Sequence, residues 1–201
     1  MRLFVALDLP DEVRRALGDL MAKLKPLSPD ARWVRPEGMH VTLKFIGHAV
    51  PTGDAKKLGA VRAALATVHS DRSVEMYFRG VGFFPNVSRP RVIWCGVQAS
   101  ENLAQMAADI ERALEPLGIP LEGRAFVPHL TLARFKTSRS PKPGRSNPPN
   151  GEALRTAAAE MAEKRFGAAS ETNFHLFESI TKSTGSEYRK LETYAFVKGP
   201  E

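Results

Sequence analysis

The chain has 201 residues, with 29 Lys+Arg against 22 Asp+Glu, a formal charge of +7. Its 43% apolar and 25% charged content is that of a folded globular protein and excludes disorder as the main state. No apolar run nears the roughly 18 residues that span a bilayer, and the single cysteine, Cys95, excludes an intrachain disulfide framework or Cys-based zinc site. No secretory apolar core follows Met1, so the expected setting is the reducing cytoplasm, with no membrane association. The sequence pI near 9.8 favours polyanionic partners.

Residues 2–9 read as a strand closed by Pro10. Asp11 then opens a helix with Val13, Leu17, Leu20, Met21 and Leu24 at the 3.6-residue period, ended by Pro26 and Pro29. Trp33 and Val34 make a short extended piece, and 39–46 is a strand stopped by Gly47. A second helix is predicted over 54–68, with Leu58, Val61 and Leu65 on one face. Residues 73–78 and 91–97 read as strands around the Gly/Pro-punctuated stretch 80–90. Ser100 caps a third helix carrying Leu103, Met106, Ile110, Leu114 and Leu117, and Pro128 opens a strand over 129–134. The segment 136–151, rich in Pro, Ser, Gly and basic residues, reads as a flexible loop within the domain. A helix over 152–166 and strands near 174–180 and 188–197 complete the chain. Long apolar strands of a parallel sheet are missing, so the expected class is α+β with mostly antiparallel sheet, as one domain over 1–201.

Comparing the chain with itself exposes a repeat. His40-Val41-Thr42-Leu43 and His129-Leu130-Thr131-Leu132 share the pattern H-x-T-L. With 5 His, 10 Thr and 19 Leu in the chain, two chance occurrences have odds on the order of 1 in 5,000, which supports an internal repeat. In a strand, His40 and Thr42 point to one face while Val41 and Leu43 point to the other, and His129 and Thr131 follow the same rule. Each segment thus presents an imidazole and a hydroxyl together and anchors itself with the alternate side chains.

Two such strands across a cleft suit a phosphodiester. One neutral imidazole can take a proton from water while the other, as imidazolium, protonates the leaving oxygen. The threonine hydroxyls can donate to the non-bridging oxygens, where charge builds in the transition state. The chain lacks the clustered carboxylates of two-metal phosphoesterases, so no metal is expected.

With these residues the chain resembles the two-histidine (2H) phosphoesterase superfamily, and within it the RNA 2′,3′-cyclic phosphodiesterases once called 2′-5′ RNA ligases. The resemblance extends to the opening segment from Arg2 to Pro10, to Trp33-Val34, and to Phe84-Pro85 followed by Arg89-Pro90-Arg91-Val92-Ile93-Trp94. It also takes in Pro128 before the second motif and Ser183, Gly185 and Tyr188 near the end. It implies two pseudo-symmetric lobes of mostly antiparallel sheet with helices packed outside and the active-site cleft between them. It makes His40 the proton donor, His129 the proton acceptor, and Thr42 and Thr131 the phosphate ligands. The implied activity is hydrolysis of an RNA terminal 2′,3′-cyclic phosphate to a 2′-phosphomonoester by a monomer without cofactor, with small cyclic nucleotides as further substrates. The basic segment after Phe135 is longer than this resemblance leads one to expect.

Other residues are weighed by the strand pleat. Lys44 counts to the face of His40 and Thr42 and is a candidate cleft cation. Phe45 counts to the core side unless a bulge turns it towards the substrate. Arg134 also counts to the core side, where a charge is costly, and is a candidate substrate contact if the strand has ended. Arg124, ahead of the second motif, is a further candidate contact. His48, His69 and His175 have no matched partner and are expected at the surface, while Cys95 and the Phe83-Phe84 pair are expected in the core. The reverse reaction, joining 2′,3′-cyclic and 5′-hydroxyl ends, would use the same two histidines. A non-catalytic RNA-binding module is the alternative of another class, and the intact His and Thr at all four motif positions speak against it. A His-based metal site lacks further ligands at workable spacing.

Overall fold

The computed structural model describes residues 1–135, 151–182 and 185–196. The elements in chain order are β1 (Leu3–Leu7), α1 (Asp11–Leu24), β2 (Ala31–Trp33), β3 (Val41–Gly47), α2 (Ala55–Leu65), β4 (Val74–Phe84) and β5 (Val92–Ala99). Then follow α3 (Asn102–Leu114), β6 (His129–Phe135), α4 (Gly151–Glu160), β7 (Arg165–Glu171), β8 (Asn173–Lys182) and β9 (Gly185–Ala195). The class is α+β. Two antiparallel sheets have the orders β3-β1-β8-β9 and β2-β6-β5-β4-β7.

The internal repeat explains this topology. With β2, β7 and β9 set aside as additions to the repeat, each half runs strand, helix, motif strand, helix, strand: β1, α1, β3, α2 and β4, then β5, α3, β6, α4 and β8. In each half the motif strand pairs antiparallel to the first strand, β3 to β1 and β6 to β5. The closing strands then change sheets, β4 pairing with β5 and β8 with β1. Each sheet therefore holds strands from both halves, so neither half completes a sheet by itself. The helices follow the exchange: α1 lies against β7, and α3 lies against β3 and α2.

Local sequence accounts for most element boundaries. In α1 the buried residues are Val13, Leu17, Leu20, Met21 and Leu24, with Asp11 and Glu12 in the first turn and Lys23 in the last, where each favours the helix dipole. Asp54 caps α2 by accepting from the Lys57 amide at 2.8 Å. All five residues of β1 are buried, yet the two faces meet different surroundings. Leu3, Val5 and Leu7 enter the main core, whereas Phe4 and Ala6 join Phe177 in a second, smaller cluster on the opposite face.

Two expectations are corrected. The stretch 80–90 is not one loop, because β4 continues to Phe84 through a bulge at Gly80, whose φ is +72°. A Cβ there would lie 2.6 Å from the Ala162 carbonyl oxygen, so the close approach and the dihedral both call for glycine. The fourth helix stops at Glu160, and 165–171 becomes the edge strand β7, paired with β4. Its Gly-Ala-Ala-Ser centre carries little strand propensity, and the free edge of β4 recruits it. The basic segment expected as a flexible loop lies outside the described residues up to Asn150, and Gly151 opens α4. Ser183 also lies outside them.

Candidate active site

β3 and β6 touch where the two sheets meet, and both carry the same irregularity. In the β1–β3 ladder Val5 faces Lys44 and Ala6 faces Thr42, leaving Leu43 as the extra residue. In the β5–β6 ladder Ile93 faces Ala133 and Trp94 faces Thr131, leaving Leu132 as the extra residue. The leucine of each H-x-T-L motif is thus a bulge, and beyond it the strand shows its other face. Leu43 and Lys44 are buried in succession and Phe45 emerges 43% exposed. Leu132 and Ala133 are likewise both buried, and Arg134 emerges exposed.

The bulges decide the candidates. Lys44 is not in the cleft: it is 2% exposed, and its Nζ donates to Glu111 Oε1 at 2.8 Å and to the Pro120 carbonyl at 2.7 Å. The regular pleat gave it the wrong face, and the bulge turns it onto α3. Phe45 and Arg134 move the other way and line a cleft of about 780 Å³ together with His40, Thr42, Thr131 and Tyr188. Arg134 Nη2 approaches Thr131 Oγ1 at 3.4 Å. His129 is outside the residues that line this cavity; the pleat, with Leu130 buried between them, sets it on the face of Thr131. Arg124 is exposed on the segment leading into β6 and does not line the cleft.

Both imidazoles are held alike. His40 Nδ1 lies 2.8 Å from the Gly38 carbonyl, and His129 Nδ1 lies 2.8 Å from the Val127 carbonyl. A carbonyl only accepts, so each Nδ1 carries a hydrogen and Nε2 is the atom left for a substrate. The surroundings differ. His40 stacks on Phe4 at 4.6 Å and meets Tyr188 edge-on at 5.1 Å, and Phe4 stacks in turn on Phe177 at 5.2 Å. His129 meets Phe84 edge-on at 5.0 Å, with Phe84 backed by Trp94. Burial pushes His40 down to about 4 against the opposing bond from Gly38; Arg134 and Arg14 lower it further, while Asp8 raises it. His40 is therefore uncharged at neutral pH in the free protein.

Six more residues depart from expectation or confirm it. His175 is buried, not at the surface, with Nδ1 3.0 Å from Thr193 Oγ1 and Nε2 3.4 Å from Lys190 Nζ. His48 and His69 are exposed. Phe84 faces His129 and not the core, although Phe83 packs against the core as expected. Cys95 is fully buried, and desolvation pushes its thiol up to about 12, so it is no nucleophile. Sequence reasoning did not find the part played by Phe4 and Phe177 behind His40. The alternation of Phe4 and Ala6 against Leu3, Val5 and Leu7 was the available signal, since a strand buried on both faces has a second face to cover.

The model of LigT-like phosphoesterases matches this chain twice, over residues 7–94 and 96–181. The chain belongs to the LigT-like phosphoesterase family. The two matches meet inside β5, so each contains one H-x-T-L strand of this phosphoesterase. An RNA 2′,3′-cyclic phosphodiesterase of Archaeoglobus fulgidus is 31% identical over 194 residues, 96% of this chain and 99% of its own. One from Methanothermobacter thermautotrophicus is 27% identical over 96% of this chain and 98% of its own. Among solved structures, TT0787 of Thermus thermophilus superposes with a TM-score of 0.73 at 29% identity, covering 98% of both chains. E. coli LigT complexed with 3′-AMP gives the same TM-score and coverage at 25% identity.

Proposed function

We propose that this phosphoesterase opens the 2′,3′-cyclic phosphate at an RNA end to a 2′-phosphomonoester, by acid–base catalysis between His40 and His129 without a metal. The observation that carries the reading is the paired geometry: two His–Thr faces, each with Nδ1 tied to a carbonyl and Nε2 without a hydrogen-bond partner among the described residues. The names of the curated relatives, which match nearly the whole chain, support the substrate class.

In this reading His129 Nε2 takes a proton from water as the water oxygen bonds to phosphorus. The P–O3′ bond breaks, and His40, as imidazolium, delivers its proton to O3′, leaving a 3′-hydroxyl and a 2′-phosphate. Thr42 and Thr131 hydroxyls donate to the non-bridging oxygens, and Arg134 adds positive charge beside Thr131. Phe45, exposed on the cleft wall, offers a face for the terminal base. His40 is neutral before binding, so it takes up its proton with the substrate, whose anionic phosphate beside Nε2 favours the imidazolium.

The low pKa of His40 also favours a second reading, in which His40 is the base and His129 the acid. A cyclic substrate with sulfur in place of O3′ separates the two, because a thiolate leaves without a proton. His40→Ala and His129→Ala should each slow the oxygen substrate on the order of 10²–10⁴-fold. The sulfur substrate should rescue His40→Ala if His40 is the donor, and His129→Ala if the roles are exchanged. Full activity of either variant on the oxygen substrate, or loss of the parent's activity on chelation, overturns the mechanism.

A further inference from the structure

Arg14 lies on α1 outside the cleft lining, yet its guanidinium reaches the turn that carries His40. Nη1 donates to the carbonyls of Pro36 at 2.9 Å and Met39 at 3.1 Å, and Nε donates to the Leu9 carbonyl at 3.2 Å. Nη2 pairs with the Asp8 carboxylate, which also accepts from Lys190 Nζ at 3.1 Å. Between Pro36 and Met39 sits Gly38, whose carbonyl holds His40 Nδ1 at 2.8 Å. One side chain thus fastens the backbone on both sides of the atom that fixes the His40 tautomer.

The other half reaches the same end differently. His129 Nδ1 is bonded to the Val127 carbonyl, and the residue between them is Pro128. Proline fixes its own φ and holds the preceding residue extended, so that turn is stiff by covalent structure. Met39 occupies the corresponding place before His40 and supplies no such restraint. A rigid planar fork that donates to several carbonyls at once does the same work through space, which a flexible ammonium cannot match.

We propose that Arg14 is the positioning residue for His40: its clamp on Pro36 and Met39 sets the Gly38 carbonyl, which keeps the proton on Nδ1 and turns Nε2 to the substrate. The catalytic consequence rests on the two-histidine reading above; the effect on the tautomer does not.

The test compares the parent with Arg14→Gln by ¹⁵N NMR of the imidazoles and by turnover of adenosine 2′,3′-cyclic phosphate. His40 should pass from one Nδ1–H tautomer to a mixture, while His129 keeps its signals. Turnover should fall roughly 10- to 100-fold, by analogy with the loss of the outer partner that orients a metal-ligating histidine, with KM within about twofold. An unmixed His40 tautomer overturns the proposal, and so does an equal disturbance of His129, which marks general loosening. If Arg14→Gln does not fold, Arg14→Lys gives the same comparison, a mixed His40 tautomer supporting the clamp and an unmixed one overturning it. A tautomer shift without any turnover in the parent would leave the clamp standing and remove the proposed function instead.

Discussion

Phe45 and Arg134 hold the same position in two copies of one motif, each two residues past a bulged leucine and each turned by that bulge into the cleft. The backbone is repeated and the side chains are not. A pseudo-symmetric pair of His–Thr faces thereby acquires a polarity, with an aromatic ring following one motif and a guanidinium following the other.

That asymmetry gives the first prediction. Stacking a base on an aromatic face contributes about 1–3 kcal/mol, so Phe45→Ala should raise KM for adenosine 2′,3′-cyclic phosphate and leave kcat nearly unchanged. It should have no effect on ribose 2′,3′-cyclic phosphate, which carries no base. Arg134→Ala should slow both substrates. Steady-state kinetics on the two compounds decides, and an equal loss from Phe45→Ala on both would show that the ring only shapes the wall.

The threonines support a second prediction. Thr42→Val and Thr131→Val keep the β-branched shape of the strand and remove the hydroxyl. If each hydroxyl bonds a charged phosphate oxygen, kcat/KM should drop by the equivalent of roughly 1–3 kcal/mol for each. Thr131→Val should also free Arg134, whose Nη2 is 3.4 Å from that hydroxyl. Unchanged kcat/KM in both variants would reduce the threonines to strand fillers.

What the sequence made legible was whatever local pattern determines. The apolar period of α1 and the repeated H-x-T-L appear in the structure as read, whereas α3 starts from Glu101 and takes no side-chain cap from Ser100. The bulges did not, because an extra residue is defined only against the partner strand: nothing in Thr42-Leu43-Lys44 says that Val5 will face Lys44. One residue of slip sent Lys44 to the core and Phe45 to the cleft, the reverse of the regular count. β7 escaped for a related reason, since Gly167-Ala168-Ala169-Ser170 becomes a strand only because β4 offers an edge. His175 looked unpartnered until β9 brought Thr193 and Lys190 beside it.

The corrected place of Lys44 makes a third prediction, about stability. Removing one partner of a buried ion pair leaves an uncompensated charge, at a cost of about 3–5 kcal/mol when burial is complete. Glu111 is 18% exposed, so Glu111→Leu should cost somewhat less, on the order of 3 kcal/mol in urea unfolding. Lys44→Met should be far milder, because the same position in the second motif is the buried, apolar Ala133. Lys44→Met combined with Glu111→Leu should recover most of the loss, and Lys44→Met should retain full turnover. A turnover defect in a stably folded Lys44→Met would return Lys44 to the cleft.

The last prediction concerns pH. His40 titrates near 4 in the folded protein against an ordinary value of 6.5, with desolvation as the main cause. Between those values the unfolded chain binds a proton that the folded protein refuses. Stability then rises with pH across this window: it is complete above about 6.5, falls as the pH drops towards 4, and levels below that. A single group can contribute at most about 1.4 kcal/mol per pH unit within the window. His175 is shifted the same way by burial and by Lys190, so it adds to the slope. His40→Gln keeps a donor for the Gly38 carbonyl but has no proton to gain, and should lose less stability than the parent between pH 7 and pH 5. Urea unfolding at the two pH values measures the difference. An identical loss in the variant would mean that His40 is already charged in the folded protein at pH 5, and that its stack on Phe4 does not exclude the imidazolium.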